Sequence, residues 1–531
     1  MSAAPSLTPA VALAPEHPVD TATAPTGWLN RGRWWAMLLF TAVYLPLTLE
    51  RAAVKPMWED ELFTLAISRQ PWPEMYRALV TGADQHPLPF YVLTHAALAT
   101  GLRTEIAIRL PEIVAGWIAA LAVFLYLARV LDVIYALLGV LCLMTTAVWG
   151  YATEARGYEL MVAGCAVAFL AWQAVGRRRG AALGLAAALM AAVASHYYAV
   201  LVVAPFAVAE GWRTWTRGER RPIVWLAFAA ALVPLGLSLS LVRAGRSYAD
   251  TFWGKPSFQG VGDSYLFLLS SAALALAPVV ALGAWSAIGA KAEPVRRVPI
   301  RRDELVALLG LVALPLLGVL VGKLATGAFA ARYMLPAAVG LAILAAIALY
   351  GLFQGRAAPA LSAAFMLAAC LLYVGMMWVS LDHQSAQRQA ALGRWIATAG
   401  HEELPIVVAQ PNAFLSLAQY APAPVAGRLV FLGDTTEAQR YLRQDTAERG
   451  FTDLAPWFPR TVLSYAALRR RNREALLFAD WTDFGIRNWV VSRLLDDGAR
   501  FELIGRNRDA QLFHVWLPDS ARAGAVTNPA M

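Results

Sequence analysis

Apolar stretches close to 20 residues long recur along this 531-residue chain. At a rise of 1.5 Å per residue, about 20 helical residues cross a hydrocarbon core of roughly 30 Å. The chain therefore reads as a polytopic membrane protein and not as a soluble enzyme. Spans are expected near 34–50, 109–128, 133–149, 158–175, 181–195, 197–212, 222–242, 263–289, 304–322, 332–352 and 358–379, about eleven in all. The pair between 181 and 212 is the least marked, with Ser195-His196-Tyr197-Tyr198 as its only break.

Composition narrows the class further. The chain is 59% hydrophobic and 15% charged, with a net charge of +9. Its basic residues fall in short loops between spans, which points to membrane topology and anionic headgroups and away from nucleic acid. Cys142, Cys165 and Cys370 all lie within apolar runs and form neither a disulfide framework nor a metal site. Residues 1–30 are rich in Ala, Pro and Thr without an apolar run, as in a disordered cytoplasmic tail. The first apolar run begins at Trp34 and is long enough to span, unlike a cleaved signal peptide.

Loop charges supply an independent test of topology. With the amino terminus cytoplasmic, three basic clusters fall inside: Arg177–Arg179, Arg213 to Arg221, and Lys291, Arg296, Arg297, Arg301 and Arg302. The opposite face then carries Trp58–Glu61, Tyr151–Glu159, His196, Arg243–Gly262 and Lys323–Arg332. An odd number of spans places the carboxyl-terminal region on that same outer face. In the long outer segment 51–108, Leu62–Ile67 and Phe90–Leu93 are too short to span. They are expected as interfacial helices, with Trp58, Trp72, Tyr76 and Tyr91 at headgroup depth.

Beyond Ser380 charges rise and short strands appear at Ile406–Ala409, Leu429–Leu432, Leu476–Ala479, Phe501–Ile504 and Leu512–Trp516. Helices are expected at Asn412–Tyr420 and Ile486–Asp496 between them. No Gly-rich phosphate loop opens any of these helices, so no nucleotide signature is present. The organisation is thus a tail at 1–30, an α-helical membrane domain with interfacial helices at 31–379, and a small α/β domain at 380–531.

Ionisable groups concentrate on the outer face, and charge there is costly next to hydrocarbon. Glu59, Asp60 and Glu61 follow the first span beside Trp58. Asp84 and His86 precede Pro87-Leu88-Pro89, where the prolines stiffen the entry to a helix. Arg109-Leu110-Pro111 opens the second span, and Glu154, Arg156, Tyr158 and Glu159 follow the third. His196, Tyr197 and Tyr198 end a helix, and Arg332 and Tyr333 begin the tenth span. So many charges on one face argue for a polar cavity.

This arrangement resembles the GT-C superfamily of integral membrane glycosyltransferases. The matching branch contains protein O-mannosyltransferases, aminoarabinose transferases and lipid A core galacturonosyltransferase-like enzymes. The pieces that match are Asp60-Glu61, His86-Pro87-Leu88-Pro89 with Tyr91, Arg109-Leu110-Pro111, Glu154-Ala155-Arg156-Gly157-Tyr158, His196-Tyr197-Tyr198 and Arg332-Tyr333 with Leu335-Pro336. They cover residues 34 to 340, and a Rossmann-like outer tail is also found in many bacterial members. The resemblance implies a bacterial inner-membrane enzyme with a periplasmic active site and periplasmic carboxyl-terminal domain. Its donor would be a sugar on a polyprenyl phosphate, its acceptor a lipid or envelope glycan, and its reaction inverting.

In that scheme Asp60 is the general base, with Glu61 and Glu154 as further catalytic carboxylates. Arg332, Arg156, Arg109 and His86 gather around the phosphate, and Tyr158, His196, Tyr197 and Tyr333 complete the binding surface. Aminoarabinose transferases have Lys where His86 stands, a departure that tells against aminoarabinose as the sugar. The extra outer domain of eukaryotic protein O-mannosyltransferases is lacking as well. A divalent cation bridging Asp60, Glu154 and His196 is compatible with these side chains, although no short motif such as His-Glu-x-x-His is present.

Plainer roles compete at each position. Asp60-Glu61 can cap an interfacial helix, Glu154 and Arg156 can close an outer turn, and His86 or His196 can pack at a helix end. Asp434, Asp480 and Asp483 look like surface acids. Two other functions compete at the level of the whole chain. A transporter or lipid flippase should show inverted repeats and mid-membrane polar groups. A sensor with an outer ligand-binding domain gives no reason for charged clusters in five separate outer loops.

Overall fold

The computed structural model describes residues 27–250, 252–288, 300–458, 460–479, 488–508 and 510–518. Each expected span overlaps helix, although 133–149, 197–212, 222–242 and 332–352 are interrupted by turns or begin as 3-10 turns, and residue 289 lies outside the described residues. The first helix, Gly27–Val54, begins before the expected end of the tail at residue 30; residues 1–26, together with Lys291, Arg296, Arg297, Asp480 and Asp483, lie outside the described residues. Among the described residues three helices are individually long and apolar enough to cross a membrane, and up to six if each of three bent pairs is one span. Val133–Met144, Tyr158–Ala174, Ala181–Ser195 and Ala337–Leu352 are apolar but shorter. Hydropathy counts apolar residues whatever direction the backbone takes, so the breaks are invisible to it. The pair Arg302–Val312 and Leu314–Thr326 bends by 50° where Pro315, lacking an N–H, enters the second half.

Helix Tyr158–Ala174 is the axis of the bundle, packed against Thr104–Val130 on one side and Ala181–Ser195 on the other. Gly164 permits that second approach, since a Cβ there would lie 2.8 Å from the Ala188 carbonyl oxygen. Beyond the far end of this axis the basic cluster is woven into ion pairs: Arg213, Arg217 and Arg301 with Asp303, and Arg221 with the buried Glu210. The near end begins at Tyr158, about 25 Å away by helical rise.

Between the first two spans lie helices Glu59–Ser68 and Leu88–Leu98, which contain the two short helices expected there, and a third, Trp72–Val80, beyond those expected. Trp72 and Tyr76 are exposed as expected, but Tyr91 is fully buried. The last span does not end at residue 379: helix Ala357–Ala397 runs on for 41 residues and carries the chain directly into the C-terminal domain.

That domain is a six-stranded sheet of β1 (Ile406–Val408), β2 (Leu429–Leu432), β3 (Thr461–Leu463), β4 (Glu474–Ala479), β5 (Arg500–Arg506) and β6 (Gln511–Trp516), ordered β3-β2-β1-β4-β6-β5. The strands from β3 to β4 are parallel, and β6 and β5 add an antiparallel edge. All five expected strands are present. β3 escaped notice because only three residues, none of them fully buried, give it no apolar run. The expected helices appear as Pro411–Tyr420 and Trp489–Asp496.

Candidate active site

A cavity of about 880 Å³ lies where the interfacial helices, the near end of the bundle and the C-terminal domain meet. Eight of the residues expected at the site line it: Asp60, His86, Arg156, Tyr158, His196, Tyr197, Arg332 and Tyr333.

Asp60 stands in the first turn of helix Glu59–Ser68, where carboxylates complement the helix dipole. Its Oδ2 accepts from Arg332 Nη2 at 3.2 Å and lies 3.9 Å from Arg156 Nε. Arg156 is anchored by a bidentate pair with Asp84 at 2.8 and 2.9 Å and donates to Thr64 Oγ1 at 3.2 Å. Arg332 has less protein to hold it. Beyond Asp60, the rings of Trp58, Tyr158 and Trp253 surround its guanidinium at 5.6 to 5.8 Å. Such faces favour a cation without consuming its hydrogen bonds.

His86 is 3% exposed and neither ring nitrogen has a hydrogen-bond partner among the described residues. Burial, with Arg156 beside it, pushes its pKa down to about 4 against the opposing pull of Asp84 and Asp60. The imidazole is therefore neutral at neutral pH, and any anion binding by His86 uses an N–H rather than a charge. Burial pushes the Asp84 carboxyl up, but Arg156 and His86 outweigh it and hold it well below the usual carboxylate range.

His196 leaves helix Ala181–Ser195 in extended backbone, and its Nδ1 accepts from Tyr198 N at 3.2 Å, capping the 3-10 turn Tyr197–Val202. That bond leaves Nε2 as the donor. His196 lies 5.1 Å from His86, 5.2 Å from Tyr158 and 4.9 Å from Tyr333, ring centre to ring centre. Gly157 makes this convergence possible, because a Cβ would meet the Ser195 carbonyl oxygen at 2.4 Å.

Three expected site residues are turned elsewhere. Glu61 and Arg109 are both fully buried and bonded to each other at 2.6 and 2.7 Å. Arg109 also donates to the carbonyls of Ala52 and Lys55, and Glu61 accepts from Ala155 N at 2.9 Å. This pair clamps the end of the first helix to the segments bearing Asp60 and Arg156. Glu154 pairs with Lys55 at 3.0 Å. With Glu154 so engaged, the bridge of Asp60, Glu154 and His196 is not assembled, and no group of three or more His, Cys, Asp or Glu side chains suited to a metal gathers among the described residues.

Other features carry no sequence signal. Glu112 sits inside helix Thr104–Val130, where its Oε2 accepts from the backbone of Glu159 and Leu160, capping the helix that begins at Tyr158. Both carboxyls are fully buried, so the span interiors are less clean than the apolar runs suggest. Gln410, Glu448 and Trp489 of the C-terminal domain also line the cavity, and nothing in their local pattern marks them. A second hollow, of about 730 Å³, is lined only by apolar residues and glycine, among them Leu93, Ile118, Leu160 and Val167, and offers no chemistry.

No family model matches the chain, and no curated protein sequence matches it. Solved structures do. The apo structure of ArnT from Cupriavidus metallidurans superposes with a TM-score of 0.59 at 16% identity, over 91% of this chain and 98% of that one. ArnT from the same organism bound to undecaprenyl phosphate gives 0.56 at 15% identity, over 96% and 100%. The fold is that of ArnT. The superposition spans both the helical bundle and the sheet domain that follows it.

Proposed function

We propose that this protein transfers a sugar from a polyprenyl-phosphate donor to a hydroxyl-bearing lipid or envelope glycan, at the outer face of a bacterial inner membrane. The observation that carries this reading is the pairing of Asp60 with Arg332 at 3.2 Å in the cavity, beside Arg156 and the buried imidazole of His86. One carboxylate, two guanidiniums and two imidazoles suit a reaction that removes a proton while an anionic phosphate departs. The binding of undecaprenyl phosphate by an ArnT of the same fold supports the donor class.

In this scheme the acceptor oxygen attacks the anomeric carbon from the side opposite the phosphate. Its proton passes to Asp60 as the new C–O bond forms. The bond from the anomeric carbon to the phosphate oxygen breaks, and polyprenyl phosphate leaves with the electron pair. Single displacement inverts the anomeric centre. Arg332 stabilises the leaving charge, Arg156 stands behind it, and the His86 and His196 N–H groups add neutral donors. Glu61, Arg109 and Glu154 act at one remove, by fixing the segments that carry Asp60 and Arg156.

Transport is less well supported, since the cavity's charges sit at one end of the bundle. A purified-protein assay tests the proposal: Asp60→Asn should retain undecaprenyl phosphate binding while losing turnover by about 10²–10⁴-fold. Undiminished turnover would remove Asp60 from its role.

A further inference from the structure

The cavity holds carboxyls that a phosphate does not account for. Glu59, from the membrane domain, and Glu448, from the C-terminal domain, line it beside the residues of the proposed reaction. Glu59 makes no side-chain hydrogen bond or ion pair among the described residues. Glu448 is buried and lines the cavity, and its Oε1 accepts from the indole N–H of Trp489 at 2.8 Å, with no side-chain partner on Oε2 among the described residues. Arg156 is engaged by Asp84 and Arg332 by Asp60, and neither Glu59 nor Glu448 forms an ion pair among the described residues, Arg246 on the same lining included.

The placement of the two acids is fixed. Phe63, one turn beyond Glu59, packs edge-on against Phe451, one turn beyond Glu448, at 5.1 Å. Phe458 adds a second contact to Phe63 at 5.5 Å, and Trp457 Nε1 donates to Glu74 at 3.2 Å. On the far side Tyr248 donates to Asp453, and Arg449 donates to Ser247 at 2.9 Å. Helices Glu59–Ser68 and Thr446–Leu454 thus meet through aromatic rings and present a glutamate each, one turn away, to the same space.

Sheet topology points to the same spot. The chain leaves β1 for β2 and β3 on one side and returns to β4 on the other, and ligands of open parallel sheets bind at the carboxyl ends of the strands where the order reverses. The segment leaving β1, Ala409-Gln410, lines this cavity.

We infer that Glu59 and Glu448 are the two jaws of an acceptor subsite, which grips a carbohydrate headgroup through its hydrogen-bond donors, hydroxyl or ammonium. Two carboxyls on one cavity that form no ion pair with its arginines are free to accept donors from a ligand, and a polyol or aminopolyol supplies several. This inference rests on the transferase reading and assigns the C-terminal domain a direct part in acceptor choice.

The test uses the full-length protein in lipid nanodiscs with three probes: undecaprenyl phosphate, methyl glucoside and methyl glucosaminide. Saturation-transfer NMR reads contact with each glycoside, and a binding titration reads the carrier. Contact is expected in the wild type and should fall about tenfold in Glu448→Gln and in Glu59→Gln. The second variant guards against misfolding, because Glu59 holds no other side chain. Preference for the glucosaminide assigns an ammonium to the subsite, and equal contact assigns hydroxyls. Carrier affinity should stay unchanged in Glu59→Gln. Carrier binding without glycoside contact, or contact unaltered in both variants, overturns the subsite. Glycoside contact that depends on both glutamates, without carrier binding, overturns the transferase reading and leaves the subsite standing.

Discussion

The buried pair of Glu61 and Arg109 gives the strongest prediction about how the site is held. Both side chains have no exposure, and the guanidinium makes two bonds to the carboxylate and two more to the carbonyls of Ala52 and Lys55. Replacing Arg109 by Met leaves a buried carboxylate whose remaining donors are the backbone N–H groups of Ala155 and Trp58. Removing one partner of such a pair costs about 3–5 kcal/mol, because the remaining charge is uncompensated in a medium of low dielectric. Glu61→Leu strands the guanidinium and should cost about as much. The double variant removes both charges; it then loses the bonds with backbone groups, to the Ala52 and Lys55 carbonyls and from the Ala155 and Trp58 N–H groups, about 1 kcal/mol each. It should therefore be no less stable than either single variant, a coupling of several kcal/mol. Denaturant unfolding in mixed micelles, followed by the near-ultraviolet signal of the tryptophans, measures all four proteins. Additivity of the two single effects to within about 0.5 kcal/mol would refute a coupled buried pair.

Other perturbations bear on the chemistry. His86 has a folded pKa of about 4 against 6.5 for the free side chain, so below 6.5 the unfolded chain binds the extra proton first. Its neutral burial is fully stabilising above that value, and about 3 kcal/mol is lost as pH falls through the window. His86→Asn should flatten the acid limb of a stability–pH curve, and an unchanged limb would contradict the assignment. Burial, with Asp60 and Glu448 nearby, pushes Glu59 up to about 7 from 4.5, so its proton is retained in the folded state across that range and stability falls as pH rises through it. Activity should consequently show an inflection near 7 that disappears in Glu59→Gln. Arg332→Ala should lower turnover by about 10²–10³-fold, the usual cost of losing one charge-stabilising donor, whereas Arg332→Lys should recover part of it.

Much of the architecture was legible because membrane insertion and sheet burial leave long, simple patterns. The apolar runs overlap the helices of the bundle, and alternation found five of the six strands. What escaped were features set by direction and packing. Pro315 bends a run that hydropathy treats as continuous, and helix Ala357–Ala397 ignores the composition change at residue 380. At the site, clustering of charge on one face identified the residues that line the cavity, yet it could not distinguish Asp60 from its neighbour Glu61. Adjacent positions on a helix point about 100° apart, so one carboxylate faces the cavity and the other the core. Glu112 was concealed within an apolar span, and Glu448 comes from a domain nearly 400 residues later in the chain.

The central claim, sugar transfer from a lipid phosphate with Asp60 as base, is tested most directly by mass spectrometry of polyprenyl phosphates. Cells carrying the wild-type protein are compared with cells carrying Asp60→Asn at matched protein levels. The account predicts that one glycosylated carrier accumulates in the variant, and its mass identifies the donor sugar. An unaltered set of carriers, with the protein present and its acceptor pathway running, would contradict the account.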